Sequence, residues 1–202
     1  MDEEFKRLYQ PSAKKCELLD VPSMPFLMID GSGDPNSSQD YQDAIQALYS
    51  VSYTLKFGLK KSGGPEFRVM PLESLWWSDA SGSLDPETPK TAWSWTAMIR
   101  QPDFATDTTI EDAKRQAGAR RPLPALARMR FERFEEGLSA QVMHIGPYSA
   151  ERPTIEMLHA FIAEQDCEFA GKHHEIYLGD PRRAAPEKLK TVVRQPVRRK
   201  KA

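Results

Sequence analysis

The residues best equipped for chemistry lie together at His173-His174-Glu175-Ile176-Tyr177-Leu178, just before Gly179-Asp180-Pro181. Ile176, Tyr177 and Leu178 are strand formers, and the Gly-Asp-Pro triplet is a strong breaker, so the segment is expected to be a strand. Alternation along a strand puts Ile176 and Leu178 on one face and His173, Glu175 and Tyr177 on the other. The apolar face suits packing on helices. A carboxylate between an imidazole and a phenol can exchange protons or pair with a cation, and the phenol can donate to a substrate oxygen. If that face lines a pocket, Glu175 is the acid or base; the same pattern also describes the wetted face of an antiparallel strand.

Other candidates surround this segment. Trp76, Trp77, Trp93 and Trp95 fall within a short stretch, which implies either a thick local core or an aromatic wall for a flat ligand. Glu73 is a second carboxylate, next to the Trp76-Trp77 pair. Tyr148 follows Gly146-Pro147 in a strand-to-helix loop that can lean over a pocket. His144 and His159 stand alone in the sequence, and His144 reads as a hydrogen-bonded residue near the core. His173 and His174 are adjacent, so on a strand they point to opposite faces and are poorly placed to share an ion. With no HExxH motif, no metal site is expected. Cys16 and Cys167 lack metal spacing and read as reduced, structural thiols. There is no GxSxG elbow to support a covalent nucleophile. Gly31-Ser32-Gly33 lacks the remainder of a phosphate loop, so no cofactor is expected.

The elements that must position these residues follow from periodicity and breakers. A strand is expected over Phe26–Asp30, then a turn, then a helix whose Ser37 and Asp40 have capping-box spacing. Tyr41, Ile45, Leu48, Ser52 and Leu55 form one helical stripe, with Gly58 as a stop. Strands are expected at Phe67–Leu72, with Trp76-Trp77 at or past its end, and at Thr91–Arg100 after a polar loop over Ser78–Lys90. A short helix over Ile110–Ala117 leads to strands at Arg128–Phe134 and Ser139–Ile145. A helix from Pro153 and strands at His174–Leu178 and Leu189–Arg194 complete the chain. The order β-α-β-β thus occurs twice, in pseudo-repeats of about 21–105 and about 125–197 within a single domain spanning 1–202. The expected fold class is α+β, with duplicated β-α-β-β modules, antiparallel sheets with helices on one face, and a central ligand cleft on the other.

Bulk composition narrows the function. The chain has 202 residues and 40% hydrophobic content, with 28 Lys+Arg against 29 Asp+Glu. A nucleic-acid binder relying on phosphate contacts would carry a basic surplus, so no nucleic-acid partner is expected. The basic cluster Arg198-Arg199-Lys200-Lys201 reads as part of a solvated tail over 198–202. No apolar run reaches the roughly 18 residues of a membrane span. The acidic start Met1-Asp2-Glu3-Glu4 is unlike a signal peptide. A cytoplasmic, soluble protein is the expectation.

Several segments together resemble the GyrI-like small-molecule-binding proteins, over nearly the whole length. They are Phe26–Pro35, Ala47–Leu55, Pro71–Trp77, Phe134–Gly137, His144–Tyr148, His173–Arg182 and Leu189–Val197. The chain is similar to the stand-alone branch, which lacks the helix-turn-helix of the drug-sensing regulators. The resemblance implies two β-α-β-β modules around a ligand cleft and a glutamate, matching Glu175, that meets cationic aromatic ligands. Some stand-alone members resemble hydrolases that open the cyclopropane ring of DNA-alkylating natural products. Carried over, Glu175 would activate water and Tyr177 or Tyr148 would hydrogen-bond the conjugated carbonyl. The tryptophans would clamp the flat drug, with Glu73, His144 and His173 among the ligand-binding candidates. Three functions follow as alternatives: a detoxifying hydrolase, a non-catalytic drug-binding or sensing module, and a gyrase-inhibitor-like interaction protein with a protein partner, on fold analogy alone.

Overall fold

The computed structural model describes residues 3–78, 84, 87–180 and 183–200. The fold is α+β with antiparallel strand pairing. The order β-α-β-β recurs as β2 (Met24–Ser32), α2 (Gln39–Lys61), β3 (Leu72–Trp77), β4 (Ser94–Arg100) and as β6 (Gly137–Ile145), α4 (Arg152–Glu164), β8 (His173–Tyr177), β9 (Lys190–Arg199). The remaining elements are α1 (Glu3–Tyr9), β1 (Glu17–Val21), α3 (Asp107–Arg120), β5 (Arg130–Phe134) and β7 (Cys167–Phe169). Two compact units divide the chain. The first holds 24–74 and 85–134, the second 1–23, 75–84 and 135–202.

In the first unit β2 pairs with both β4 and β5. Met24 through Ile29 are buried without interruption, as befits a strand covered on both sides. Ser38 caps α2 by accepting from the Tyr41 amide. The cap is therefore one residue later than the Ser37–Asp40 spacing suggests, because Asp34 holds the preceding turn: its carbonyl accepts from the amides of Ser37 and Ser38. The helix also runs through Gly58 and stops at Ser62 and Gly63, where Gly63 takes a left-handed φ of 73°. Tyr41, Leu48, Ser52 and Leu55 of the expected stripe are buried, joined by Ala44, Ala47 and Val51. A reciprocal cap between Thr106 and Thr109 starts α3 earlier than its apolar pattern does.

Trp95 dictates one glycine. Gly31 lies opposite Trp95 in the β2–β4 register, and the fully buried indole crosses its Cα to meet Tyr41 at 5.0 Å between centroids. A Cβ at Gly31 would fall 2.2 Å from an indole ring carbon.

The strand carrying Trp76 and Trp77 is displaced from expectation. β3 spans Leu72–Trp77, so both tryptophans lie within it, whereas 67–71 is not a strand. Pro71 offers no N–H to a ladder and so precedes the strand, and Phe67 packs edge-on against Phe104 at 5.9 Å. Part of the polar loop expected over Ser78–Lys90 lies outside the described residues, as do Pro181, Arg182 and Lys201.

In the second unit β1, β6, β9 and β8 are antiparallel neighbours in that order, and β7 pairs with the end of β9. The strand expected over Leu189–Arg194 continues as β9 to Arg199. Pro196 closes the ladder with β6 opposite Ser139, and from Val197 onward the strand pairs with β7 instead. Its missing N–H thus falls where one neighbour is exchanged for another. Arg198 and Arg199, expected in a free tail, are strand residues, and Arg198 pairs with Glu168 at 2.6 Å.

The register aligns Glu17, Gln141, Arg194 and His174 as one row across four strands. Arg194 is 1% exposed. Its guanidinium donates to Glu136 at 2.8 Å, to the Gln141 side chain at 3.0 and 3.1 Å, and to the Leu8 carbonyl. Glu136 also meets Nδ1 of His174 at 2.9 Å, while Gln141 donates to Glu17 and to the Arg7 carbonyl. The opposite face is apolar: Ala140, Val142, Val193 and Val197 pack with Leu158 and Ile162 of α4 and with both free cysteines.

Burial pushes the Glu136 carboxyl up, but the charges and hydrogen bonds of His174 and Arg194 outweigh it and hold the group at about 2, below its ordinary 4.5. A depressed carboxylate stabilises the fold above its unfolded value, and that contribution disappears as pH falls through the folded one. Urea unfolding is therefore expected to show wild-type stability falling between pH 4.5 and about 2, with a flatter profile in Glu136→Gln. At neutral pH, Arg194→Met and Glu136→Gln should each cost about 3–5 kcal/mol, since either leaves a buried charge without its partner. Gly31→Ala should cost about 1–3 kcal/mol by calorimetry and alter tryptophan fluorescence, because the Trp95 ring must move.

Candidate functional site

Strand β8 has different surroundings on its two faces. On one, His174 and Ile176 are fully buried, with His174 held by Glu136. On the other, His173, Glu175 and Tyr177 lie side by side as alternation predicts. Nε2 of His173 is 3.2 Å from Oε1 of Glu175, and the Tyr177 hydroxyl donates to Oε2 at 2.8 Å. The same hydroxyl accepts from Nε1 of Trp76 at 3.2 Å. An indole, a phenol, a carboxylate and an imidazole are thus linked in series. The Glu175 side chain is 15% exposed and that of His173 only 4%, so the carboxylate has limited contact with water and the imidazole almost none.

Tyr148 completes this cluster. It opens the single 3₁₀ turn Tyr148–Ala150 between β6 and α4 and meets Tyr177 edge to face at 5.5 Å. Gly146, with φ 142°, allows the sharp departure from β6, and Pro147 fixes the following bend. Tyr148 is 39% exposed, so its ring borders solvent while touching the half-buried Tyr177 phenol.

The face on which these residues stand differs in one respect from expectation. Directly opposed residues in an antiparallel pair share a face. Glu175 is opposed to Val193, and Val193 to Val142. Glu175 therefore shares the face of the strands on which α4 packs, and Ile176 lies on the reverse side, although its apolar character suggested the helix-packing role.

The other expected site residues have their own surroundings. His144 is buried, with Nδ1 2.9 Å from the Thr154 hydroxyl and Nε2 3.3 Å from the Pro147 carbonyl. It braces the turn that carries Tyr148. Alternation along β3 turns Trp77 away from Trp76, and the Lys172 ammonium lies 3.3 Å above its ring. Glu73, Trp93 and Trp95 belong to the first unit. There Glu73 is buried, Trp95 packs on Tyr41, and Trp93 donates to the Thr88 carbonyl at 2.9 Å beneath Lys90. Of the four tryptophans, Trp76 is the one seen to bond directly to the β8 cluster among the described residues.

One neighbour had no signal in the sequence. His159 of α4 lies against Phe169 at 4.6 Å between ring centroids. Its imidazole is pushed down by burial and then by the charge of His173, with Glu156 opposing. The two histidines are 14 residues apart in sequence, and only the packing of α4 relates them. Among the described residues no three His, Cys, Asp or Glu side chains converge as metal ligands, and no helix is long and apolar enough to cross a membrane.

Comparisons with known proteins identify the family and the fold. A crystal structure of a conserved protein from Listeria innocua is 42% identical, with a TM-score of 0.88 over 97% of this chain and 98% of its own. Another from Listeria innocua, described as a hydrolase, is also 42% identical, with a TM-score of 0.84 over the same shares. The C-terminal domain of EcmrR, at 12% identity and a TM-score of 0.57 over 92% of this chain and 98% of its own, shares the fold alone. No curated protein matches. Residues 14–198 match the family model of the GyrI-like small molecule binding domain, and the chain belongs to that family.

Proposed function

We propose that the protein is a hydrolase acting on flat, aromatic, electrophilic molecules, and that its substrates are cyclopropane-bearing DNA alkylators that it detoxifies. The observation carrying this reading is the linked series Trp76–Tyr177–Glu175–His173 with Tyr148 at its edge. The 42% identical Listeria innocua hydrolase supports it. In this reading Glu175 takes a proton from water as the water oxygen bonds to the ring carbon. The strained carbon–carbon bond breaks, and its electron pair moves to the conjugated carbonyl oxygen. That oxygen needs a donor as its charge grows. The Tyr177 proton is committed to Glu175, so Tyr148 is the donor assigned here, and Tyr177 positions the carboxylate. The proton held by Glu175 is then delivered to that former carbonyl oxygen, so that the product carries one hydroxyl there and another on the opened ring carbon, one water in total having been added.

A second reading is a binding module without turnover. Both Glu175 oxygens already have partners, which suits a fixed counter-charge for a bound ligand as well as a base. Product analysis with a cyclopropane alkylator separates the two. A ring-opened hydrate is expected with wild type, falling about 10²–10⁴-fold in Glu175→Gln and about 10²–10³-fold in Tyr148→Phe. Quenching of tryptophan fluorescence without product in any of these proteins would identify a binder.

A further inference from the structure

Beside the β8 cluster lies a buried hydroxyl that nothing satisfies. Thr191, near the start of β9, is directly opposed to His144 of β6 on one side and to Tyr177 of β8 on the other. Opposed residues share a face, so the three side chains form a row on the face that carries Glu175. Thr191 is fully buried, and among the described residues its Oγ1 has no hydrogen-bond partner. Its neighbours in the row are engaged elsewhere. His144 meets the Thr154 hydroxyl and the Pro147 carbonyl, and the Tyr177 hydroxyl accepts from Trp76 and donates to Glu175.

A hydroxyl taken from water without a hydrogen bond weakens the fold. Valine has the same branched shape without that cost. Valine is also what β9 carries further along this face, where Val193 and Val197 pack in the core beneath α4. At Thr191 the strand departs from that pattern, and Tyr148 lies over the departure. It follows the end of β6 and reaches the Tyr177 ring on β8, so it spans the intervening β9. Because the Tyr148 ring itself borders solvent, a ligand that swings it aside meets the hydroxyl beneath.

Granted the small-molecule site proposed above, we infer that Thr191 is a further ligand-binding residue of it, its hydroxyl donating to a carbonyl oxygen of a planar ligand seated under Tyr148. The hydrolysis proposed for this site develops charge on such an oxygen, whose lone pairs accept more than one hydrogen bond. Tyr148 supplies one donor there and Thr191 a second.

Fluorenone and fluorene share one planar fused-ring skeleton and differ by a carbonyl group, so their affinities for the same protein isolate the polar contact. Thr191→Val is expected to weaken fluorenone binding about 3- to 10-fold, the share of one hydrogen bond, and to leave fluorene unchanged. Thr191→Ser keeps the hydroxyl and should match wild type for both compounds. Thr191→Val is also expected to unfold at or above the wild-type temperature, because it removes a buried group that has no partner. In wild type, which needs no substitution, the Thr191 methyl NMR signal should shift when fluorenone binds. Equal fluorenone affinity in wild type and Thr191→Val, or a Thr191 methyl signal unmoved by bound fluorenone, would overturn the assignment while leaving the site intact. So would a Thr191→Val protein that unfolds well below wild type, which would give the hydroxyl to the fold instead. If neither compound binds wild type, the small-molecule site itself is misplaced, and the assignment falls with it.

Discussion

A single buried guanidinium fixes the frame on which the candidate site depends. Arg194 lies in the middle of a row running Glu17, Gln141, Arg194, His174 across β1, β6, β9 and β8. A charge in that position is tolerable only when every donor has an acceptor. The row, Glu136 and the carbonyl of Leu8 provide them. Apolar contacts alone would define the register of β8 weakly, because Val192 and Val193 are both buried and of one type. The hydrogen-bonded row is specific: a slip of one residue would put His173 or Glu175 opposite Arg194 and reverse every side chain on the strand. The polar face of the second unit thereby determines where the Glu175 face points.

The two faces of β8 show the same residue types under different constraints. His174 and Glu136 are enclosed, with a cation to balance the carboxylate, and the result is a structural ion network. His173 and Glu175 make a similar imidazole–carboxylate contact. The Tyr177 hydroxyl donates to the Glu175 carboxylate and accepts from the Trp76 indole. One carboxylate is sealed in beside a guanidinium, whereas 15% of the Glu175 side chain still borders solvent. That difference in enclosure separates a bracing group from the one proposed here to meet a ligand.

Alternation along β8 was legible in the sequence because a strand's period of two is a local property that no tertiary contact alters. Hence His173, Glu175 and Tyr177 were identified together, and the link between them is found. The tryptophans were not resolved in the same way. Their separation into core, surface-stacked and site-bonded residues depends on Gly31 letting Trp95 cross a backbone, on Lys172 capping Trp77, and on the β3 boundary set by Pro71. None of these is written in the spacing of Trp residues. Short elements such as α1, β1 and β7 were likewise silent, since stretches of three to seven residues carry no readable period. Their positions come from what they pair with: Glu17 from Gln141, and Glu168 from Arg198.

Tyr148 illustrates how a loop acquires a defined place. Gly146 and Pro147 give the backbone a sharp exit from β6, but a turn alone would leave the phenol unconstrained. His144 removes that freedom by holding the Pro147 carbonyl through one ring nitrogen and Thr154 of α4 through the other. The turn is therefore tied at both ends, to the strand it leaves and the helix it enters. A donor must be preorganised where charge will develop if it is to lower a barrier, because reorganising it during reaction would consume the gain. In the proposed reading, His144 is the brace that preorganises Tyr148 through the turn it holds.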